Sequence, residues 1–512
     1  MTPITLTAEQ LSVVQHPLGQ HARVLAVAGS GKTTTLAYRV QYLVQECQIA
    51  PRRIQVLMFN RLARVQFQER LTAIGLPRYQ QPPIDTFHAF TYRLLRQWMA
   101  AGLLPTTTDF WLNGQGEQAW LMTHIAITHL EQRQQLTPGQ VDPEEALQAM
   151  GLWKGSLIPP ARAGYRGDPA LPLVYAEFEH LRQQRQALTF DDFVPLVVHM
   201  LERSSVLGAS APCRVEHLIV DEYQDINYGQ QRLLELLAGE QADVMVVGDD
   251  DQTIYEWRGA RPTYILRDFK DRFTHKPHQE YTLSHSFRFG PVIAQCAYNT
   301  ISHNLGRVKK PLIAHWSDKA AAIHVVAQPQ AAETDRELAA EVRRLLQEQH
   351  VSPLQIRVLV RTYAQLNGLE EAFLSQRIPY RVVGREPFFA RRENRVLLDY
   401  LRFALRLDEP VTPQSETELL SLANTPSRKL SRLTLSQVLQ AARSHRLTSR
   451  QALVALAAAC YPAQQPRVAE LIMLLDELRG RATSGPSAGE LLTWLVERLV
   501  YLEHFTAYYG AG

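Results

Sequence analysis

ARVLAVAGSGKTTTLAYRVQYLVQEC, residues 22–47, changes character twice along its length. The first seven residues are almost continuously apolar, which suits a strand buried on both faces of a parallel sheet. Small residues and glycines follow, and from Thr33 the apolar positions recur at helical spacing. A strand that turns through glycines into a helix offers backbone N–H groups at a positive helix terminus, a cradle for phosphate. Ala28, Gly29, Ser30, Gly31, Lys32, Thr33 and Thr34 form the candidate loop. In it Gly29 and Gly31 let the backbone turn inward, Lys32 supplies a point charge to the β- and γ-phosphates, and the Thr33 hydroxyl ligates Mg²⁺. The full phosphate-loop pattern has glycine where Ala26 stands, so this is a variant, and a plain strand–helix turn is the alternative.

The same alternation recurs in IQVLMF (54–59), HLIVDE (217–222) and DVMVVGD (243–249), separated by helical patterns such as NYGQQRLLELLAGE (227–240). This is α/β architecture. HLIVDEYQD (217–225) ends its apolar run in Asp221 and Glu222, read as an acidic pair at the tip of a neighbouring parallel strand. Asp221 would hold hydrated Mg²⁺, and Glu222 would orient and deprotonate water, a contribution of ~10²–10⁴ in rate. The alternative is a pair of helix-capping acids. Together with the glycine loop, the pair implies ATP and Mg²⁺ as cofactors.

A second strand tip, VVGDDDQTIYEWRGA (246–260), carries Asp249, Asp250 and Asp251, then Gln252, Tyr255, Trp257 and Arg258. Carboxylates and a glutamine suit a metal-bound phosphate, while the aromatics suit unstacked nucleobases or, alternatively, a packed core. Composition sets the outer bounds. At 512 residues, three or four domains are expected, and 46% hydrophobic with 21% charged residues is ordinary for a soluble globular chain. The start carries no basic segment followed by an apolar run, and ALVALAAAC (452–460) is far too short to span a bilayer, so a cytoplasmic protein without membrane contact is expected. The four scattered cysteines form no C-x-x-C pair, and His275 and His278 have no ligand partners at metal spacing. A net charge of +3 carries no polyanion signature, but residues 377–402 hold seven arginines against three acids, either a solvated helix face or a phosphate track. The acids of LTFDDFV (188–194) read as a helix start.

DEYQD followed by GDDDQTIYEWRGA resembles the superfamily 1 DNA helicases of the UvrD/Rep/PcrA type. LTAEQ (6–10) resembles the family's Q motif, which places Gln10 on the adenine edge. IQVLMFNRLA (54–63) resembles motif Ia, with Phe59 and Asn60, and IDTFHAF (84–90) resembles the segment whose Thr86 and His88 touch single-stranded DNA. YTLSHSFR (281–288) resembles the L-x-x-N-Y-R motif, with Phe287 for the adenine-stacking tyrosine and Arg288 for the arginine reaching the γ-phosphate. The resemblance implies P-loop NTPase (RecA-like) parallel-sheet motor domains with inserted all-helical subdomains. It divides the chain into 1–105 and 189–290 for the first motor domain, 106–188 for its helical insertion, 291–390 for part of the second, and 391–512 for a helical subdomain inserted there. Strands of the second domain are expected at AAIHVVAQ (321–328), IRVLVR (356–361) and YRVVG (380–384). Gln252 is implied as γ-phosphate sensor, and Phe59, Asn60, Tyr255, Trp257 and Arg258 as contacts to the strand, except that Phe59 and His88 also suit simple packing.

The family's T-x-H-x-x-K-G-L and V-A-x-T-R-A segments do not occur in residues 400–512. The last residues, LVYLEHFTAYYGAG, resemble a helical subdomain that normally returns to complete the second sheet. That sheet is therefore expected to lack strands, and the second arginine finger, worth ~10³–10⁵ in hydrolysis rate, to be absent. The family activity implied is ATP-driven 3′→5′ translocation on single-stranded DNA and at DNA junctions. The isolated polypeptide is expected to bind ATP·Mg²⁺ and DNA but to turn over slowly. A non-motor single-strand-binding module, completed by a protein partner or a separate C-terminal segment, is the second reading. A P-loop kinase is the third, and it leaves Tyr255, Trp257 and Thr86–His88 unexplained.

Overall fold

The computed structural model describes residues 5–104, 109–110, 115–164, 169–203, 215–327, 331–384 and 388–503. Two units emerge, Met1–His324 and Val325–Gly512. In the first, six strands form one parallel sheet: β1 (His21–Ala26), β2 (Ile54–Met58), β3 (Ile84–Thr86), β4 (His217–Val220), β5 (Asp243–Gly248) and β6 (His278–Leu283). Their order is β3-β2-β4-β5-β1-β6. The acidic strand β4 is thus no neighbour of β1, because β5 lies between them, pairing Val24 with Val247 on one side and Met245 with Ile219 on the other. Apolar runs buried on both faces carry no label for their neighbours, so adjacency was beyond the sequence.

The alternation of side chains feeds two cores. Leu25, Leu57, Leu218 and Val244 face one, which is closed by α4 (Phe87–Ala100), α8 (Phe193–Arg203) and α9 (Tyr228–Ala238). Val24, Val56, Ile219 and Met245 face the other, under α2 (Lys32–Gln45) and α3 (Arg61–Ala73). Ahead of β1, α1 (Ala8–Val14) is closed by a capping box between Thr7 and Gln10.

Between α4 and α8 the helices α5 (Gln115–Gln132), α6 (Pro143–Gly155) and α7 (Leu171–Gln184) enclose their own core around Ala126, Trp153, Val174 and Phe178. A two-residue parallel pair, Asp109–Phe110 with Ala187–Leu188, closes its base. Of the acids of LTFDDFV, Asp192 is structural: it completes a capping box with Thr189 and meets Lys154 Nζ at 2.6 Å. His278 opens the edge strand β6.

In the second unit the expected strands do not pair. Residues 325–327, 356–360 and 380–383 carry no ladder among the described residues. Helices Ala331–Gln347 and Leu366–Ser375 pack together, and Ile356, Val358, Val360 and Tyr380 lie against their core of Val342, Leu369 and Phe373. One face of 356–360 is thereby covered, while Leu359 on the other face is 93% exposed. The β-propensity is present, but a ladder needs a second row of backbone groups at strand spacing, which no described segment provides. Helices from Arg392–Leu405 to Ala488–Arg498 then surround Tyr400, Phe403 and Leu475. Residues 504–512 of the quoted terminal stretch lie outside the described residues. The arginine-rich segment is not a continuous track, since Arg391 is buried against Glu370 at 2.5 Å; Arg385 lies outside the described residues.

The two faces of 356–360 predict opposite responses to charge. Leu359→Lys should leave the unfolding midpoint essentially unchanged and raise solubility, whereas Val358→Asp should cost about 1–3 kcal/mol. Urea unfolding and light scattering of the two variants check this.

Candidate nucleotide and nucleic-acid site

Gly29 and Gly31 both hold φ at +77°, which only glycine adopts freely, and Gly31 is the N-cap of α2. Between them the Ser30 hydroxyl is buried without a hydrogen-bond partner. A buried orphan hydroxyl inside a cradle of N–H groups fits an oxyanion. Gln10, expected on the adenine edge, is buried, its Nε2 donating to the Ser30 carbonyl at 3.0 Å and its Oε1 accepting from the Thr7 N–H. It therefore braces the loop from below. The YTLSHSFR segment lies against the same loop: the Phe287 N–H donates to the Gly29 carbonyl at 2.9 Å. A Cβ on Gly29 would meet Arg288 Cβ at 2.6 Å and Ser286 Oγ at 2.7 Å. Phe287 is half-buried with its ring 4.4 Å from that of His315, and the Arg288 side chain is exposed.

Across the loop, Lys32 Nζ donates to Glu222 Oε2 at 2.8 Å. Thr33 and Thr34 stand in the first turn of α2. Burial first, and the neighbouring Glu222 carboxylate second, push the Asp221 carboxyl up to about 7. The same two causes push Asp225 up to about 6. A buried carboxylate that resists ionisation without a nearby cation fits a divalent-metal ligand, and Thr33 with Asp221 is the pair the sequence assigned to Mg²⁺.

The sequence reading missed Gln224. Its Nε2 donates to Glu222 Oε2 at 2.8 Å, and its Oε1 accepts the Asp249 N–H at 3.0 Å. Gln252, in turn, donates to Asp249 Oδ2 at 2.6 Å. Lys32, Glu222, Gln224, Asp249 and Gln252 thus form one hydrogen-bonded run across the tips of β4 and β5. Gly248 makes this possible, because a Cβ there would meet Gln224 Oε1 at 2.3 Å.

On the outer side of the same loop, Trp257 is 58% exposed, with the Arg258 guanidinium carbon 5.1 Å from its ring centre. The core-filling alternative fails for this ring. Tyr255 is half-buried and lies 4.9 Å from Phe59, ring to ring. Asn60 is exposed and caps α3 through the Ala63 N–H, and Thr86 caps α4 through the Ala89 N–H. His88 stacks on Phe190 at 4.0 Å and 17°, a partner the sequence did not indicate. Burial, then the charge of Arg258, lowers the His88 pKa to about 4. This surface accordingly combines aromatic rings with the neutral His88 imidazole and the Arg258 guanidinium.

Two outcomes follow from this geometry. Gly29→Ala forces a left-handed alanine costing about 1–2 kcal/mol, so affinity for a fluorescent ATP analogue should fall about tenfold. Because His88 stays neutral in the folded chain below its ordinary pKa of 6.5, the unfolded chain takes up the proton first, and stability is lost as pH falls from 6.5 toward 4. His88→Phe keeps the stack, so the drop in melting temperature between pH 6.5 and 5 should be smaller than in the native chain.

The chain matches two family models, the UvrD/REP helicase N-terminal domain over residues 6–274 and the UvrD-like helicase C-terminal domain over residues 281–451. It is 28% identical over 439 residues to the ATP-dependent DNA helicase PcrA of Leuconostoc citreum, covering 84% of this chain and 55% of that protein. Against the ATP-dependent DNA helicase Rep of Buchnera aphidicola it is 26% identical, covering 81% of this chain and 62% of the relative. Against the ATP-dependent DNA helicase UvrD1 of Mycobacterium tuberculosis it is 29% identical, covering 98% and 65%. The chain therefore spans 55% to 65% of the length of these curated relatives. With the parallel sheet, the phosphate loop and a family model matching more than half of its residues, the chain belongs to the UvrD/Rep helicase family.

Proposed function

We propose that this chain is an ATP-driven DNA translocase that binds ATP with Mg²⁺, grips single-stranded DNA and unwinds duplex DNA with 3′→5′ polarity, as a cytoplasmic protein. The observation that carries the reading is the span 248–258. Its inner side, through Asp249 and Gln252, is bonded to the tip bearing Glu222, and its outer side presents Trp257. One short connector thus touches both the candidate phosphate site and an aromatic surface.

In this reading Lys32 and Arg288 stabilise charge on the terminal phosphates, and Asp221 with Thr33 would hold the metal, which would supply charge neutralisation at the phosphate oxygens. Glu222 accepts a proton from the attacking water, which requires Lys32 to leave it for the nucleotide. Gln252 senses the γ-phosphate while Phe287 borders the base and Gln10 braces the loop beneath it. Phe59, Tyr255, Trp257 and His88 stack or support unstacked bases, a mode of grip that tolerates any sequence. Asn60, Thr86 and Arg258 line the same surface. Junction DNA and a protein partner, or a further segment that pairs with the second unit, are the proposed partners.

The unpaired segments 356–360 and 380–383 favour a second reading, in which the chain binds nucleotide and single strands without displacing them. Steady-state ATP hydrolysis with and without oligonucleotide separates the two. The motor reading expects stimulation by single-stranded DNA and loss of turnover in Lys32→Ala; binding without stimulated turnover would leave only the second. Trp257→Ala should weaken oligonucleotide affinity by about 1–3 kcal/mol and leave ATP affinity unchanged, measured by fluorescence anisotropy.

A further inference from the structure

The three adjacent aspartates at the tip of β5 bring their carboxylates within 4.8 Å of one another, a spacing suited to a divalent cation. A side chain from sixty residues later fills that space. Lys310 Nζ lies 2.9 Å from Asp249 Oδ1, 2.6 Å from Asp250 Oδ1 and 2.7 Å from Asp251 Oδ2, and its side chain is 2% exposed. Arg307 adds a bidentate pair to Asp251 at 2.7 Å for each bond, and the Val308 N–H donates to Asp250 Oδ2 at 2.9 Å. An ammonium has three donors and here meets three carboxylates, so none of its hydrogen-bonding capacity is left over. Buried charge of this density persists only when paired in this way.

Asp249 links this cluster to the hydrolytic group. Its Oδ1 faces Lys310, its Oδ2 accepts from Gln252, and its backbone N–H is held by Gln224, which also donates to Glu222. We propose that Lys310 is a positioning residue for ATP hydrolysis: its ammonium takes the place a second cation would occupy among Asp249, Asp250 and Asp251, and fixes Asp249 so that Gln252 and Glu222 are aimed at the γ-phosphate. The chain then works with one metal ion, held at Thr33 and Asp221, and a built-in cation at the β5 tip. This rests on the motor reading given above.

The test is Lys310→Met in the full chain, with kcat and KM for DNA-stimulated ATP hydrolysis read separately. We expect kcat to fall about 10- to 100-fold, as for other groups that orient a ligand from behind, with KM and the affinity for a non-hydrolysable ATP analogue unchanged. Lys310→Arg keeps the charge and should recover part of kcat. Arg307→Gln removes the bond to Asp251 but none to Asp249, and should leave kcat at the native value. A native kcat in Lys310→Met, or equal losses in Lys310→Met and Arg307→Gln, would overturn the inference. If Lys310→Met does not fold, Lys310→Met/Asp250→Asn, which removes one charge of each sign, is read by the same criteria. If the native chain shows no turnover, the motor reading fails by itself. Mn²⁺ binding followed by electron paramagnetic resonance then reads the cation-replacing half of the inference alone: an additional Mn²⁺ in the nucleotide-free variant relative to the native chain supports it, and no difference overturns it.

Discussion

The tips of β4 and β5 are joined through one buried amide, and the site's geometry depends on it. Gln224 has both ends committed, donating toward Glu222 and accepting from the Asp249 backbone. It reaches because Gly248 has no Cβ to obstruct it. In a low-dielectric interior such a bridge is stiff, since rotating the amide would leave buried polar groups on both strands unpaired. The Glu222 carboxylate is therefore placed by β5, the strand that stands between β4 and β1.

What the sequence disclosed follows from locality. The run from Ala22 to Cys47 announces strand, glycine turn and helix because each is encoded by neighbours a few residues apart. Asp221 and Glu222 were legible as acids terminating an apolar run, whereas Trp257 read as stacking surface or core until its exposure decided. The order of strands was not, because a continuously apolar strand fits any interior slot. Lys310 and Arg307 were missed for a related reason: they are 61 and 56 residues from the carboxylates they meet, Asp249 and Asp251, and lysines are common in loops. The triple aspartate consequently read as a place for a metal-bound phosphate alone. Propensity misled in the second unit, where Ile356–Val360 has every feature of a strand except a neighbour.

The outer face of the β5 connector shows why net charge was uninformative. The Arg258 charge lies over the Trp257 ring, and the His88 imidazole beside it is neutral. Stacking on flat aromatic surfaces needs little excess charge, and Asn60 and Thr86 are partly committed to capping the helices beside that surface.

The helical insertion leaves the sheet domain at Asp109–Phe110 and re-enters at Ala187–Leu188, two segments that lie side by side. Its entry and exit are therefore only about 5 Å apart, the spacing of paired strands. A module whose ends meet can lengthen, shrink or be exchanged during descent without disturbing the register of the sheet it springs from. In such an arrangement, what the insertion touches can be refashioned while the strand tips of the sheet stay as they are.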